Sequence, residues 1–453
     1  MSLHDLAAPG LEQCGDPRYR IAEIRAADPL GADALLSAVP AMNARADVPA
    51  LIAALRALVP DPADATALGI PDALAAMRDL GLLLGSLKRH GIQPVAAVPE
   101  LLPALRALGR RTDMVPRDTV HHYTTWNPVG HRQRMYTGDE MEGKLQDAVR
   151  MVFPGLVASL DSCAELARLE PYDPAFADAL DRTAGHVQSM VESIDFTTAH
   201  VDPVFFAQEM RRYFEEIDVG GVDYLGPAAA QVPLWLVDLT LWQCDRDHSA
   251  YDAFLIDSVA YSLPSWRAHH AAHRGATSAV SKLSAAISWE ATDRLPPQLT
   301  RSAVALARVL RILKSFRARH ITIARKAYSE EVRMYEMGSG GAPIALLRAV
   351  LDLTRDNETL VRRAVEPPRP GAGAGCRAKP RTEPRTEPRT EPCPEPCPES
   401  LAESTASCPG SRTGPGGEPD AAPRRNSGDE ARTEARARPP ARTAPDVPGE
   451  TTP

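Results

Sequence analysis

Residues 316–321 read Phe-Arg-Ala-Arg-His-Ile and lie in the middle of a long stretch with helical periodicity. Apolar side chains recur three and four positions apart, at Val309, Leu313, Phe316, Ile323 and Ala327. His320 falls in the same series, so the pattern places an imidazole on the apolar face of a helix predicted over Pro297–Tyr335. A neutral imidazole in such a place is a usual ligand of haem iron. Such a histidine is more often a hydrogen-bonded core residue than a ligand, and the pattern alone leaves both interpretations open.

Two features near this histidine favour a cofactor. The glycine-rich loop Gly338–Gly341 follows on the same segment and could lie against the edge of a planar group, since glycine allows close backbone approach. Arg325 and Lys326 follow His320 and could meet the propionates of a haem. No Cys-x-x-Cys-His sequence is present, so any haem would be bound non-covalently.

The rest of residues 1–366 also predicts helices, broken by proline and glycine. The predicted helices are Ala32–Ala38, Val48–Leu58, Ile70–Leu87, Pro99–Leu108, Gly143–Leu169, Pro174–Ile194, Pro203–Ile217, Val232–Trp242, Ser249–Ala271 and Pro343–Val365. A short extended piece is predicted at His121–Trp126. The fold class is therefore all-α.

The composition changes abruptly near Pro367. Residues 367–453 hold 19 of the 42 prolines, no aromatic residue, and three repeats of Arg-Thr-Glu-Pro that begin at Arg381. Such a segment buries too little apolar surface to offset the entropy of ordering, so it is predicted to be a disordered spacer. It carries 13 basic and 13 acidic residues, which leaves the net charge of −8 on residues 1–366.

Charge, cysteine usage and hydropathy exclude several classes of protein. An acidic body argues against nucleic-acid binding, which needs concentrated Lys and Arg. The seven cysteines form no disulfide framework, and neither a signal peptide nor an apolar run of membrane-spanning length is present. We therefore expect a cytoplasmic protein without a membrane partner.

Other chemical motifs are incomplete. His269 and His273 could grip a metal from one helix face, but no carboxylate lies between them as in metalloprotease helices, which favours a polar surface cluster. The sequence also lacks a complete dinucleotide or phosphate loop.

Several segments, taken together and in order, resemble one family. They are Ala75–Gly81, Gly85–Gly91, Trp126–Pro128, Tyr136–Gly138, Met190–Ile194, Val219–Pro227, Phe316–His320 and Gly338–Gly341. They are similar to the monodechloroaminopyrrolnitrin synthases, within the haem-dependent indoleamine/tryptophan 2,3-dioxygenase superfamily. The resemblance covers roughly residues 25–365 and is more specific than any single motif.

The resemblance implies an indoleamine 2,3-dioxygenase-like helical fold. Residues 1–140 would form a small N-terminal helical domain that caps the pocket, residues 141–366 a haem-binding domain, and residues 367–453 the tail. It implies that the protein binds haem b. His320 would be the iron ligand, and Gly338 and Gly340 would lie beside the cofactor.

The resemblance also implies a substrate site. Arg211 would pair with the substrate carboxylate, Phe206 would stack on the indole, and Ser339 would hold the amino-acid group. Gly226 and Ala228 fall on the loop beside the oxygen site, and Tyr328 matches a tyrosine expected near the substrate. Arg212, Gln231-Val232 and Arg319 depart from the synthase pattern, which leaves the identity of substrate and product open.

The implied function is oxidation of tryptophan or a chlorinated tryptophan by dioxygen or peroxide, with an electron donor that the sequence does not name. A synthase-like reaction would rearrange the ring and remove the carboxyl group to give an aminophenylpyrrole. The alternatives are ring opening of the 2,3-dioxygenase type, hydroxylation of another amino acid, and a non-catalytic haem-binding protein.

Overall fold

Helices account for most of the computed structural model, which describes residues 16–290 and 295–365. In chain order they are α1 (Ile21–Ala26), α2 (Asp33–Leu36), α3 (Val39–Ala44), α4 (Val48–Leu58), α5 (Pro62–Ala67), α6 (Ile70–Arg89), α7 (Pro94–Ala97), α8 (Leu101–Thr112), α9 (Val120–Tyr123), α10 (Glu140–Leu166), α11 (Pro174–His200), α12 (Pro203–Gln208), α13 (Leu234–Asp238), α14 (Ser249–Val259), α15 (Pro264–His273), α16 (Ala279–Trp289), α17 (Pro297–Ala327) and α18 (Ile344–Val365). The all-α prediction is confirmed.

Shorter elements complete the described chain. Strands β1 (Ile217–Asp218) and β2 (Asp223–Tyr224) form an antiparallel ribbon in which Ile217 pairs with Tyr224. The 3-10 helices are Pro17–Tyr19, Gly130–Arg132, Met210–Phe214 and Ala229–Gln231, and a π-turn spans Leu239–Gln243.

The four longest helices, α10, α11, α17 and α18, pack against one another in sequence. Helix α11 packs between α10 and α17, and α17 packs against α18. Aspartate side chains cap the starts of two of them: Asp139 accepts from the Met141 amide and Asp173 from the Ala175 amide. Their apolar faces meet in one hydrophobic cluster that also includes α13, α16 and the π-turn.

A second hydrophobic cluster lies around α6. Residues 73–87 of this helix are buried on all sides, because α4, α8 and the 3-10 helix Met210–Phe214 surround it. Its buried Asp79 accepts from Nε of Arg78 and Nε of Arg134, each at 2.9 Å, which balances the carboxylate charge inside the fold.

A buried ion pair joins α17 to α13. Arg317, one turn before His320, donates to the carboxylate of Asp238 and to the hydroxyl of Thr354 on α18. Asp238 also accepts from Tyr251 Oη at 2.5 Å and from Trp242 Nε1 at 3.1 Å. This network fixes the orientation of the helix that carries His320 relative to its neighbours.

Some element boundaries differ from the predictions. Helix α4 matches its predicted bounds, and α6, α11 and α18 match theirs within a few residues at either end. The predicted helix Pro203–Ile217 stops at Gln208, because Met210, Tyr213 and Phe214 are buried in the α6 cluster through a 3-10 turn. The helix predicted to Tyr335 ends at Ala327, and Ser249–Ala271 is divided by Pro264.

The extended piece predicted at His121–Trp126 is wrong. Residues Val120–Tyr123 form α9, because the Nδ1 atom of His122 lies 3.0 Å from the backbone amide of Thr119 and closes the first turn as a capping box. The tail predicted at residues 367–453 lies outside the described residues. Within the described ranges, no helix combines the length and apolarity needed to cross a membrane.

Candidate functional site

Arg211 is a buried arginine with unsatisfied hydrogen-bond donors. It lies in the 3-10 helix Met210–Phe214, and only 8% of the residue is exposed. Its Nη2 atom donates to the Gly338 carbonyl at 3.5 Å, whereas Nε and Nη1 are buried without a partner. No carboxylate of the described chain lies within ion-pair distance of this guanidinium. The group therefore keeps two donors available for an anion.

Tyr328 and the loop 338–341 lie next to Arg211. Burial raises the pKa of the Tyr328 phenol, and Arg211 and the backbone N–H of Ser339 oppose that shift. A Cβ atom on Gly338 would lie 3.6 Å from Tyr328 Oη. The structure thus brings together Arg211, Tyr328, Gly338 and Ser339, all of which the sequence resemblance named.

The loop 225–231 packs against the loop 338–341 through small residues. A Cβ atom added to Gly340 would lie 2.5 Å from Ala230 Cβ and 3.9 Å from Ala228 Cβ. A Cβ atom on Gly226 would lie 2.9 Å from both Arg117 Nη2 and Phe214 Cα. Glycine at these two positions is what lets the loops approach each other and the chain beneath them.

Gln231 holds the loop 225–231 in place. Its Oε1 atom accepts from the amides of Val120 at 2.7 Å and Ala228 at 3.3 Å, and its Nε2 donates to the Gly226 carbonyl at 3.0 Å. Sequence reasoning noted this residue only as a departure from the family pattern. Its partner at Val120 is more than 100 positions away, so no local signal could have revealed the role.

Arg117 was missed for a similar reason. It is fully buried below the loop 225–231 and donates to Asp118 Oδ1 at 3.2 Å and to the Tyr224 carbonyl at 3.4 Å. Burial raises the pKa of the Asp118 carboxyl, and Arg117 opposes the shift. The pair comes from the connection between α8 and α9, a segment without periodicity.

His320 is half-buried on α17, at the edge of the buried face, which in this part of the helix is formed by Arg317, Ile321 and Ala324 rather than by the predicted series. Its ring stacks on Phe316 with centroids 5.7 Å apart, and in the part of the chain that the structure describes neither ring nitrogen has a hydrogen-bond partner. Burial, with a smaller contribution from Arg317, lowers the pKa of the imidazole, which favours the neutral form.

An apolar cluster lies beside this histidine, separate from the two larger ones. Phe316 packs against it, and its buried members are Val120, Val152, Leu156, Met190 and Val232. The Val120 amide donates to Gln231, so the cluster borders the loop 225–231. The cluster thus links Phe316, on which His320 stacks, with that loop.

Phe206 lies on α12, which packs against both α17 and the 3-10 helix that carries Arg211. Its half-buried ring packs on the α6 cluster. No hydrogen bond or ring contact joins His320 to the Arg211 group within the described ranges, so the structure presents two neighbouring groups rather than one connected network.

Other predicted features lie elsewhere. His269 and His273 stack with ring centroids 4.1 Å apart, and His273 Nδ1 lies 2.8 Å from the His269 carbonyl oxygen. A cavity of about 310 Å³ lies beside the π-turn and is lined by residues such as Gln243, Arg246 and His270. None of the predicted site residues lines it.

The family model of the monodechloroaminopyrrolnitrin synthase PrnB matches residues 23–366, which include all of the residues described above. The match covers most of the chain. The chain therefore belongs to the monodechloroaminopyrrolnitrin synthase family, a family of enzymes of pyrrolnitrin biosynthesis.

Proposed function

We propose that this protein is a haem-dependent enzyme that oxidises tryptophan or a chlorinated tryptophan. The reaction that we put first is ring rearrangement with loss of the carboxyl group, which would give an aminophenylpyrrole as the family description implies. Ring opening of the 2,3-dioxygenase type and hydroxylation of another amino acid are the alternatives within the same chemistry.

The observation that carries the proposal is the unpaired charge of Arg211. A buried charge without a partner is costly, so proteins rarely retain one unless a ligand completes it. The planar guanidinium offers parallel N–H donors that match a carboxylate. The parallel pairs combine Nη2 with Nε or with Nη1, and both Nε and Nη1 are unpartnered, so one such pair remains open beside the bond from Nη2 to the Gly338 carbonyl. An amino-acid substrate supplies the required carboxylate.

The residues around His320 fit a non-covalently bound haem. A ligand imidazole must be neutral and must offer a free nitrogen; the lowered pKa of His320 favours the neutral form, and within the described ranges no hydrogen bond occupies its ring nitrogens. The apolar cluster that packs against Phe316 would suit the porphyrin, and Gly338 and Gly340 would lie near its edge. When bound, haem would supply the oxidising chemistry with dioxygen or peroxide.

The remaining steps are positioning tasks of the protein. Arg211 would orient the substrate carboxylate, Tyr328 Oη and the Ser339 hydroxyl would hold the amino-acid group, and Phe206 would contact the indole. Residues 225–230 read Leu-Gly-Pro-Ala-Ala-Ala and contain no acid or base. This loop would therefore exclude water from the indole without exchanging a proton with it.

Ligand binding and product mass test the proposal. The haem-loaded protein should show a spectral change with L-tryptophan and 7-chlorotryptophan and a much weaker change with tryptamine, which lacks the carboxylate. Product mass then separates the reactions: loss of carbon dioxide, gain of two oxygen atoms, or gain of one. A haem spectrum that is insensitive to all of these amino acids would favour a non-catalytic haem-binding protein.

A further inference from the structure

Tyr335 contacts Arg211 from a segment that no motif identified. The Cζ atom of Arg211 lies 4.5 Å from the centroid of the Tyr335 ring, which is the geometry of a cation–π interaction. The guanidinium carbon thus lies over the face of the tyrosine ring. The N–H donors point outward in the guanidinium plane, so ring contact on the face and a carboxylate at the edge are compatible.

The Tyr335 hydroxyl is tied to the element that carries Arg211. It donates to Glu215, the residue that follows the 3-10 helix Met210–Phe214. Burial, together with Glu215, raises the pKa of Tyr335 to about 12, so the phenol stays protonated as a donor through the neutral range. Glu215 also lies 3.9 Å from Lys88 Nζ on α6.

The segment that carries Tyr335 continues into a tight turn, and this turn also contacts Arg211. Met337 and Pro343 form an antiparallel bridge, and the Gly338 amide donates to the Ala342 carbonyl at 2.8 Å. The turn needs a positive φ at Gly341, which is +75°. The Gly338 carbonyl accepts from Arg211, so the segment contacts the guanidinium by one carbonyl and one aromatic face.

We propose that Tyr335 is a positioning residue that sets the affinity of this site for carboxylate ligands. Its ring restricts the guanidinium to one plane and shields one face from water, and the hydrogen bond to Glu215 keeps the ring in place. Both effects reduce the reorganisation needed when the carboxylate binds. This inference rests on the proposed function, because it takes the ligand of Arg211 to be a substrate carboxylate.

The test compares L-tryptophan with tryptamine by equilibrium dialysis on the haem-loaded protein. The dissociation constant of tryptamine divided by that of L-tryptophan isolates the contribution of the carboxylate. In Y335L, which removes the ring, the ratio should fall about five- to tenfold. In Y335F, which keeps the ring and loses the hydroxyl, and in E215Q, which leaves a neutral acceptor, it should fall about two- to threefold.

Y172L serves as the matched control, because Tyr172 donates to Glu290 Oε1 at 2.7 Å in a similar pair at an exposed position. This variant should keep the wild-type ratio. A Y335L protein with the wild-type ratio would overturn the role of Tyr335 alone. A wild-type protein that binds tryptophan and tryptamine equally would overturn the proposed function and this role with it. If Y335L does not fold, an unchanged ratio in both Y335F and E215Q overturns the inference.

Discussion

Arg211 keeps two guanidinium nitrogens without a partner although its side chain is almost completely buried. The nearest groups are neutral: the Tyr335 ring, the Gly338 carbonyl and the Tyr328 phenol. At the scale of single residues, Arg211 is therefore a buried cation whose hydrogen-bond donors are not all satisfied by the protein. A carboxylate that enters the site gains a strong, poorly hydrated partner.

Replacing Arg211 by glutamine should therefore weaken L-tryptophan binding by about 3 kcal/mol, as expected when one partner of a buried charge pair is removed. Tryptamine binding should change little, because it lacks the carboxylate. Isothermal titration of both ligands measures the difference. R212Q is the control, since Arg212 is adjacent but donates to the Arg89 carbonyl instead. Equal tryptophan affinity in R211Q and the wild type would contradict the role.

The residues of the candidate site were predictable only in part. The resemblance named Arg211, Tyr328 and Ser339, and the structure brings them together. Tyr335, Gln231 and Arg117 were missed, because each has a partner about 100 positions or more away in the sequence, which Gln231 and Arg117 combine with local bonds. Periodicity reports on one element at a time and carries no information about such contacts.

At the scale of elements, helix positions followed from periodicity and helix starts from proline, as at Pro174 and Pro297. Boundaries failed where packing against another element overrode local preference. The chain after Gln208 leaves the α-helix because Met210 and Phe214 are buried against α6, and Ile217 joins a ribbon with Tyr224. Helix α16 was missed altogether.

The contact between α10 and α11 depends on a glycine. A Cβ atom on Gly155, which follows Pro154 within α10, would lie 2.6 Å from the His186 carbonyl oxygen. We predict that G155A lowers the free energy of unfolding by about 1–3 kcal/mol, because one of two long helices must move. Urea unfolding measures this change.

G185A is the matched control on the partner helix. A Cβ atom at Gly185 would have no neighbour within 4 Å, and the residue is exposed within α11. Alanine there should raise stability by up to about 1 kcal/mol through helix propensity. A G155A protein as stable as the wild type, or more stable, would show that α10 and α11 do not approach as closely as described.

At the scale of the whole molecule, the interior carries several charged or titratable side chains that only the folded chain explains. His121 is fully buried among Trp126, Phe153 and Trp266, with both ring nitrogens unpartnered. Burial lowers the pKa of His121 from 6.5 to about 3. The sequence pattern indicated only an extended piece at this residue, and its burial could not be predicted because it depends on three separate elements.

His121 should make the protein sensitive to acid. Between about pH 6.5 and pH 3 the unfolded chain binds a proton at this histidine and the folded chain does not, so stability falls as the pH falls. From pH 7 to pH 5, this one group should cost about 2 kcal/mol. H121F should lose correspondingly less stability over that range in urea unfolding. An identical loss in both proteins would show that His121 is not buried in the neutral form.

We propose that the His320 imidazole, which stacks on Phe316, holds the haem iron. The most direct measurement is the absorption spectrum of H320G after reconstitution with haem b, with and without added imidazole, beside the wild type. We predict that H320G loses the Soret band of histidine-ligated haem and that free imidazole restores it. A variant that binds haem with the wild-type spectrum in the absence of imidazole would contradict the assignment.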